Sequence, residues 1–139
     1  MRELAAVRRE VSKTRGKAVL AFADTGAEAA GFAAIEIEDQ LMPKRAHHHI
    51  DIEHLIPQDL MVEKIKVAVA TRRDPDFVIM SQCYARDAAN SSFDDCIARL
   101  KAYKEEAGVD WVQLESPHSI DEIRQARAAV TGAFSFMKG

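Results

Sequence analysis

The chain has 139 residues, 47% apolar and 29% charged, an ordinary globular composition that excludes disorder, collagen and coiled coil. Nineteen basic against twenty-two acidic residues leave a net charge of −3, which gives no basic footprint for nucleic acid or a membrane surface. No apolar run approaches the roughly 20 residues of a membrane span, so no membrane partner is expected.

Residues 2–14 carry Leu4, Val7 and Val11 at helical spacing among Arg and Glu, which predicts an amphipathic helix. Their charge from the second residue onward predicts no secretory leader. After Gly16, Lys17 to Ala23 (KAVLAFA) has the length and apolarity of a strand, and so does Phe32 to Ile37 (FAAIEI). A polar, His-rich stretch over 40–56 ends at Pro57, which suits the first turn of a helix running to about Arg73, with Met61, Ile65 and Val69 on one face.

The unit then recurs. Phe77 to Met80 (FVIM) predicts a strand, and Ser92 with Asp95 resembles a capping box opening a helix that bears Ile97, Leu100 and Tyr103 and ends at Gly108. Trp111 to Leu114 (WVQL) predicts the next strand. Ser119 with Glu122 caps a helix bearing Ile123, Ala126 and Val130, and Ala133 to Met137 (AFSFM) predicts a last strand. Strands alternating with helices predict an α/β fold with a parallel sheet. One connection breaks the pattern: Asp24 to Gly31 (DTGAEAAG) is short for a crossover, which needs about 10–12 residues. Either those two strands are not parallel neighbours or a helix is missing there.

Ligand sites in such folds gather just past the C-terminal ends of strands. Asp24-Thr25-Gly26, Glu38-Asp39-Gln40, Ser81-Gln82-Cys83-Tyr84 and Glu115-Ser116-Pro117 follow the successive strands. Asp24 and Glu38 could converge on one hard cation such as Mg²⁺, which takes one or two carboxylates and keeps waters; each alone also reads as a cap of the next element. Lys44 and Arg45 offer positive charge to a substrate carboxylate or a developing enolate, or form a solvated basic pair. His47, His48, His49 and His54 could ligate a transition metal, but contiguous histidines cannot all aim at one ion, and a loop histidine acting as acid or donor fits better. Cys83 and Cys96 lack metal or disulfide-framework spacing and read as thiols of a reduced compartment, the cytoplasm or a mitochondrial matrix.

Taken in order, Phe22-Ala23-Asp24-Thr25-Gly26, Ile37-Glu38-Asp39-Gln40, Pro43-Lys44-Arg45-Ala46-His47-His48, Ser81-Gln82-Cys83-Tyr84-Ala85 and Leu114-Glu115-Ser116-Pro117 resemble the motifs of the isocitrate lyase/phosphoenolpyruvate mutase superfamily. The resemblance spans nearly the whole chain and points to the methylisocitrate lyase/dimethylmalate lyase-like branch. It implies a (β/α)8 TIM-type barrel binding Mg²⁺ (or Mn²⁺) and a small 2-hydroxy or 2-oxo di- or tricarboxylate. The expected chemistry is C–C cleavage through an enolate, or P–C chemistry in a mutase/hydrolase branch. By matching position, Asp24 and Glu38 serve the metal, Lys44, Arg45 and His48 are catalytic on a loop over the substrate, and Thr25, Gly26, Gln82 and Glu115 bind substrate.

The chain also departs from the pattern. Phe22 stands for a metal-shell aspartate, Ala46 for the lyases' acid–base cysteine, and Gln82 for an arginine that clamps a substrate carboxylate. A full barrel takes about 250 residues. The chain therefore reads over 1–139 as a single incomplete barrel domain, about strands three to seven with one crossover helix missing. A second expectation, from these losses, is a catalytically inactive remnant acting in assembly. Unpaired sheet edges predict a homo-oligomer.

Overall fold

The computed structural model describes residues 20–22, 32–40, 55–89 and 91–138. Five parallel strands lie side by side in chain order: β1 (Leu20–Phe22), β2 (Ala34–Glu38), β3 (Val78–Cys83), β4 (Trp111–Glu115) and β5 (Ala133–Met137). Helix α1 (Gln58–Thr71) joins β2 to β3. Helix α2 (Phe93–Lys101), which widens into a π-helical turn over Ala102–Glu106, joins β3 to β4, and α3 (Ile120–Ala129) joins β4 to β5. The alternation of strand and helix expected from the sequence is thus the α/β architecture found. The expected helix over 2–14 lies outside the described residues.

The short connection is resolved in favour of adjacency. Leu20, Ala21 and Phe22 pair in parallel with Ala34, Ile35 and Glu36. Residues 23–31 lie outside the described residues, and with them the question of a missing crossover helix.

Local chemistry sets the helix starts. Pro57 is the N-cap of α1 rather than its first helical residue, and its carbonyl accepts the Met61 N–H at 3.0 Å. Ser92 Oγ accepts the Asp95 N–H at 3.1 Å, but the Asp95 carboxylate takes the Ser91 hydroxyl at 2.6 Å and Arg99 Nε at 3.2 Å. Only half of a reciprocal capping box therefore forms. Likewise Ser119 Oγ accepts the Glu122 N–H at 3.1 Å, while Glu122 accepts the N–H of His118 at 2.8 Å. Gly108, at φ 76°, lets the chain turn out of the widened helix, where the Val109 N–H reaches the Tyr103 carbonyl at 3.2 Å.

Alternation along the strands divides the sheet into two faces. Ile35, Ile37, Ile79, Val112 and Leu114 pack against Met61 and Ile65 of α1, Leu100 and Tyr103 of α2, and Ala126 of α3. Each large apolar side chain buried this way contributes about 1.5–3 kcal/mol. Val130, expected inside α3, is its extended C-cap and is still buried in this core. No helix of the described residues is long and apolar enough to cross a membrane.

Candidate active site

The face opposite the helices is polar. The register places Glu38 beside Gln82, Gln82 beside Gln113, and Gln113 beside Ser135, a ladder across four strands. One step toward the N-terminal ends, Glu36 pairs with Met80 and Met80 with Trp111. No lysine or arginine stands on this face of β2 to β5.

Hydrogen bonds knit the ladder together. Gln82 Nε2 donates to Glu115 Oε2 at 2.6 Å, both side chains being buried. A carboxylate only accepts, so this contact fixes which end of the carboxamide faces Glu115. Trp111 Nε1 donates to Ser135 Oγ at 2.9 Å, and that hydroxyl donates to Gln113 Oε1 at 3.0 Å. Glu36 is buried on the same face. Tyr84, just past β3, is buried against Ala88 and Leu55. Burial first, then the carboxylates of Glu115, Glu38, Glu36 and Asp39, push its phenol far above the usual tyrosine range and keep it a neutral hydrogen-bond donor.

Asp39 turns the other way. It is fully buried behind the sheet, where Oδ1 accepts the Tyr84 N–H at 2.9 Å, Oδ2 accepts the Tyr103 hydroxyl at 2.8 Å, and Arg99 Nη1 lies 3.6 Å from Oδ2. Arg99 also donates to the Ile56 carbonyl at 3.1 Å. Burial pushes the Asp39 carboxyl up, opposed by these donors. The Ile56 N–H in turn reaches the Asp39 carbonyl at 2.9 Å, and Gln40 bridges Leu55 in antiparallel fashion. The two ends of the segment 41–54 are therefore held together at the C-terminal end of β2.

A second layer of polar contacts joins the loop after β3 to the loop after β4 and the first turn of α3. Arg86 Nε and Nη2 grip the Glu122 carboxylate at 2.8–3.1 Å, and His118 Nε2 lies 2.8 Å from Asp87 Oδ1. Ser116, immediately after Glu115, adopts φ 50°, a sparsely populated conformation for a residue with a side chain, and its N–H reaches the Met137 carbonyl at 2.8 Å.

Of the expected site residues, the structure brings together Glu38, Gln82 and Glu115. Each is part of a strand rather than of the loop after it: β3 runs on through Ser81, Gln82 and Cys83, whose polar character reads as a loop but whose backbone pairs with β4. Asp24, Thr25, Gly26, Lys44, Arg45 and His48 lie outside the described residues, as do His47, His49 and His54. Sequence reasoning misses Glu36, Gln113 and Ser135, although period-two alternation in AIEIE, WVQLE and AFSFM places them on the same polar face. Asp39 carries no local signal of its role, because its partners lie 45 and 64 positions away.

The donors available here are carboxylate and amide oxygens, which suit a hard divalent cation. Among the described residues no three acidic, histidine or cysteine side chains suffice to hold an ion by themselves. Glu38 alone fits the one or two protein carboxylates that Mg²⁺ usually takes.

The chain is 37% identical over 145 residues to 2,3-dimethylmalate lyase of Eubacterium barkeri, covering 95% of this chain and 49% of that protein. It is 37% identical to probable 2-methylisocitrate lyase 1 of Corynebacterium glutamicum, over 94% of this chain and 46% of that one. It thus spans about half the length of the curated relatives it matches. The crystal structure of a phosphonopyruvate hydrolase complex with oxalate and Mg²⁺ superposes with a TM-score of 0.70 at 28% identity, covering 96% of this chain and 50% of that one. The fold is accordingly that of the barrel-type lyases, of which the described strands form a contiguous parallel run. Residues 16–138 match the family model for phosphoenolpyruvate phosphomutase, and the chain belongs to that family, within the isocitrate lyase/phosphoenolpyruvate mutase superfamily.

Proposed function

We propose that the protein is, or forms part of, a Mg²⁺-dependent lyase that cleaves a carbon–carbon bond of a small 2-hydroxy di- or tricarboxylate. The observation that carries this reading is the buried polar ladder at the C-terminal strand ends, with Glu38, Gln82 and Glu115 on one face. Names of relatives support the reaction type, since 2,3-dimethylmalate and 2-methylisocitrate lyases stand among them.

Asp24 and Glu38 hold the cation, directly or through water, with Mn²⁺ as a substitute. When bound, it supplies a Lewis acid that polarises the oxygen on the substrate's 2-carbon. The other roles belong to the chain's own side chains. Thr25, Gly26, Gln82 and Glu115 orient the substrate, Glu115 being fixed by the Gln82 amide. As the bond breaks, the hydroxyl proton passes to solvent water, its carbon becomes the 2-oxo group, and the bond's electron pair passes to the departing carbon as an enolate. Lys44 and Arg45 neutralise that enolate, and His48 gives it a proton, a task for which Ala46 has no functional group.

The test is release of a 2-oxo acid from 2,3-dimethylmalate and 2-methylisocitrate by the full chain with Mg²⁺. Turnover should stop with EDTA and fall at least about a hundredfold in Asp24→Ala and Glu38→Gln. Turnover that survives EDTA, or is unchanged in Asp24→Ala, overturns the reading. The likeness to phosphonopyruvate hydrolase favours, as a second reading, P–C cleavage with release of phosphate, which the same assay run on phosphonopyruvate detects.

A further inference from the structure

Asp39 stands at the junction of three pieces of the proposed site. Glu38 precedes it on the polar face, whereas Asp39 itself turns to the helix side, as strand alternation requires. Its N–H reaches the Gln82 carbonyl at 3.3 Å, and its carbonyl accepts the Ile56 N–H at 2.9 Å. Its carboxylate accepts the Tyr84 N–H and the Tyr103 hydroxyl, and Arg99, beside Oδ2, also donates to the Ile56 carbonyl. One buried residue thus ties the end of β2 to the end of β3 and to Ile56, just beyond the segment that carries Lys44, Arg45 and His48.

Stability alone is a poor reason for such an arrangement. Burying a carboxylate and a guanidinium is costly, and well-packed apolar side chains of similar volume often stabilise as much or more. What apolar side chains cannot do is hold two backbone segments by directed bonds, as Asp39 holds the Tyr84 N–H and Arg99 the Ile56 carbonyl. A residue fixed in this way from behind the sheet also fixes the neighbour that points to the other face, because a one-residue slip would exchange the two. We infer that Asp39, held by Arg99 and Tyr103, is a positioning residue that aims the Glu38 carboxylate at the cation of the proposed site. The inference rests on the metal site proposed above and adds to it the buried side chains, on the far side of the sheet, that set its affinity.

Calorimetric titration of Mg²⁺ into the full chain tests this, with melting curves to report whether each variant folds. Tyr103→Phe removes one oxygen from the cluster. Asp39→Asn removes the charge and leaves either the Tyr84 N–H or the Tyr103 hydroxyl without its acceptor. Each should weaken Mg²⁺ binding at least about tenfold, as the loss of groups behind a metal ligand commonly does. Arg72→Met is the control. Arg72 bonds the Phe77 carbonyl at 2.9 Å and pairs with Asp110 at the opposite end of the sheet, so this variant should melt earlier with unchanged Mg²⁺ affinity. Where Asp39→Asn does not fold, Tyr103→Phe decides. Tyr103→Phe binding Mg²⁺ as tightly as the parent overturns the inference and leaves the proposed metal site standing. An equal loss of affinity in Arg72→Met does the same, since destabilisation then accounts for the effect. Failure of the unaltered chain to bind Mg²⁺ overturns the proposed metal site, and the inference with it.

Discussion

The Tyr103 hydroxyl donates to Asp39 Oδ2 at 2.8 Å, linking the π-helical turn after α2 to the residue that follows β2, 64 positions earlier. The same hydroxyl accepts from Arg99 Nη1 at 3.3 Å, so the phenol stands between a cation and an anion, all three well buried. The strand end that carries Glu38 is thereby anchored from behind by the helix layer.

Removing that hydroxyl leaves Asp39 one donor short in a site that water does not reach. Tyr103→Phe should cost about 1–3 kcal/mol of stability, measured by chemical denaturation. Asp39→Ala should cost more, because it strands Arg99, Tyr103 and the Tyr84 N–H together. A Tyr103→Phe protein as stable as the parent would show that the anchor contributes nothing.

Arg86 and Glu122 give a pH signature. The two-pronged hydrogen bonds from Arg86, followed by the N–H of His118, hold the Glu122 carboxyl below its ordinary 4.5. The folded protein thus binds this proton less readily than the unfolded chain. The stabilisation is complete above pH 4.5 and is lost as pH falls through the depressed value. Glu122→Gln should cost about 1–2 kcal/mol near neutrality and flatten the acid limb of the stability curve below pH 4.5. Parallel acid limbs for the two proteins would refute the coupling.

The strands and helices were legible because their signals are local. Ser92 and Ser119 mark helix starts by side-chain bonds that reach only three residues on, and the apolar stripe of α1 gives Met61 and Ile65 directly. The candidate site was legible only in part. Ser81-Gln82-Cys83 reads as a loop from its polarity alone, whereas its place in the sheet depends on other strands: Gln82 ladders with Glu38 and Gln113, and Ser81 and Cys83 lie on the opposite face beside Ile37, Val112 and Leu114. Gln113, Ser135 and Glu36 carry a local signal in the period-two alternation of their strands, whereas Asp39 carries none, because its contacts are with Tyr103 and Arg99.

Cys83 Sγ and Cys96 Sγ lie 3.6 Å apart, with both residues fully buried. Burial and the neighbouring Cys96 thiol push the Cys83 thiol well above its ordinary value, away from the reactive thiolate. Neither thiol should react with Ellman's reagent in the native protein, and two equivalents should appear on unfolding in denaturant. Rapid native reaction of either would contradict the packing of β3 on α2. Cys96→Ala should be tolerated better than Cys96→Asp, which places an unpaired charge beside the Cys83 sulfur.

The strands stand in space in the order in which they occur in the chain. Each finds its partner in the strand made just before it, so no segment must wait for a distant one before docking. Such a sheet can be assembled vectorially, strand upon strand, as the polypeptide leaves the ribosome.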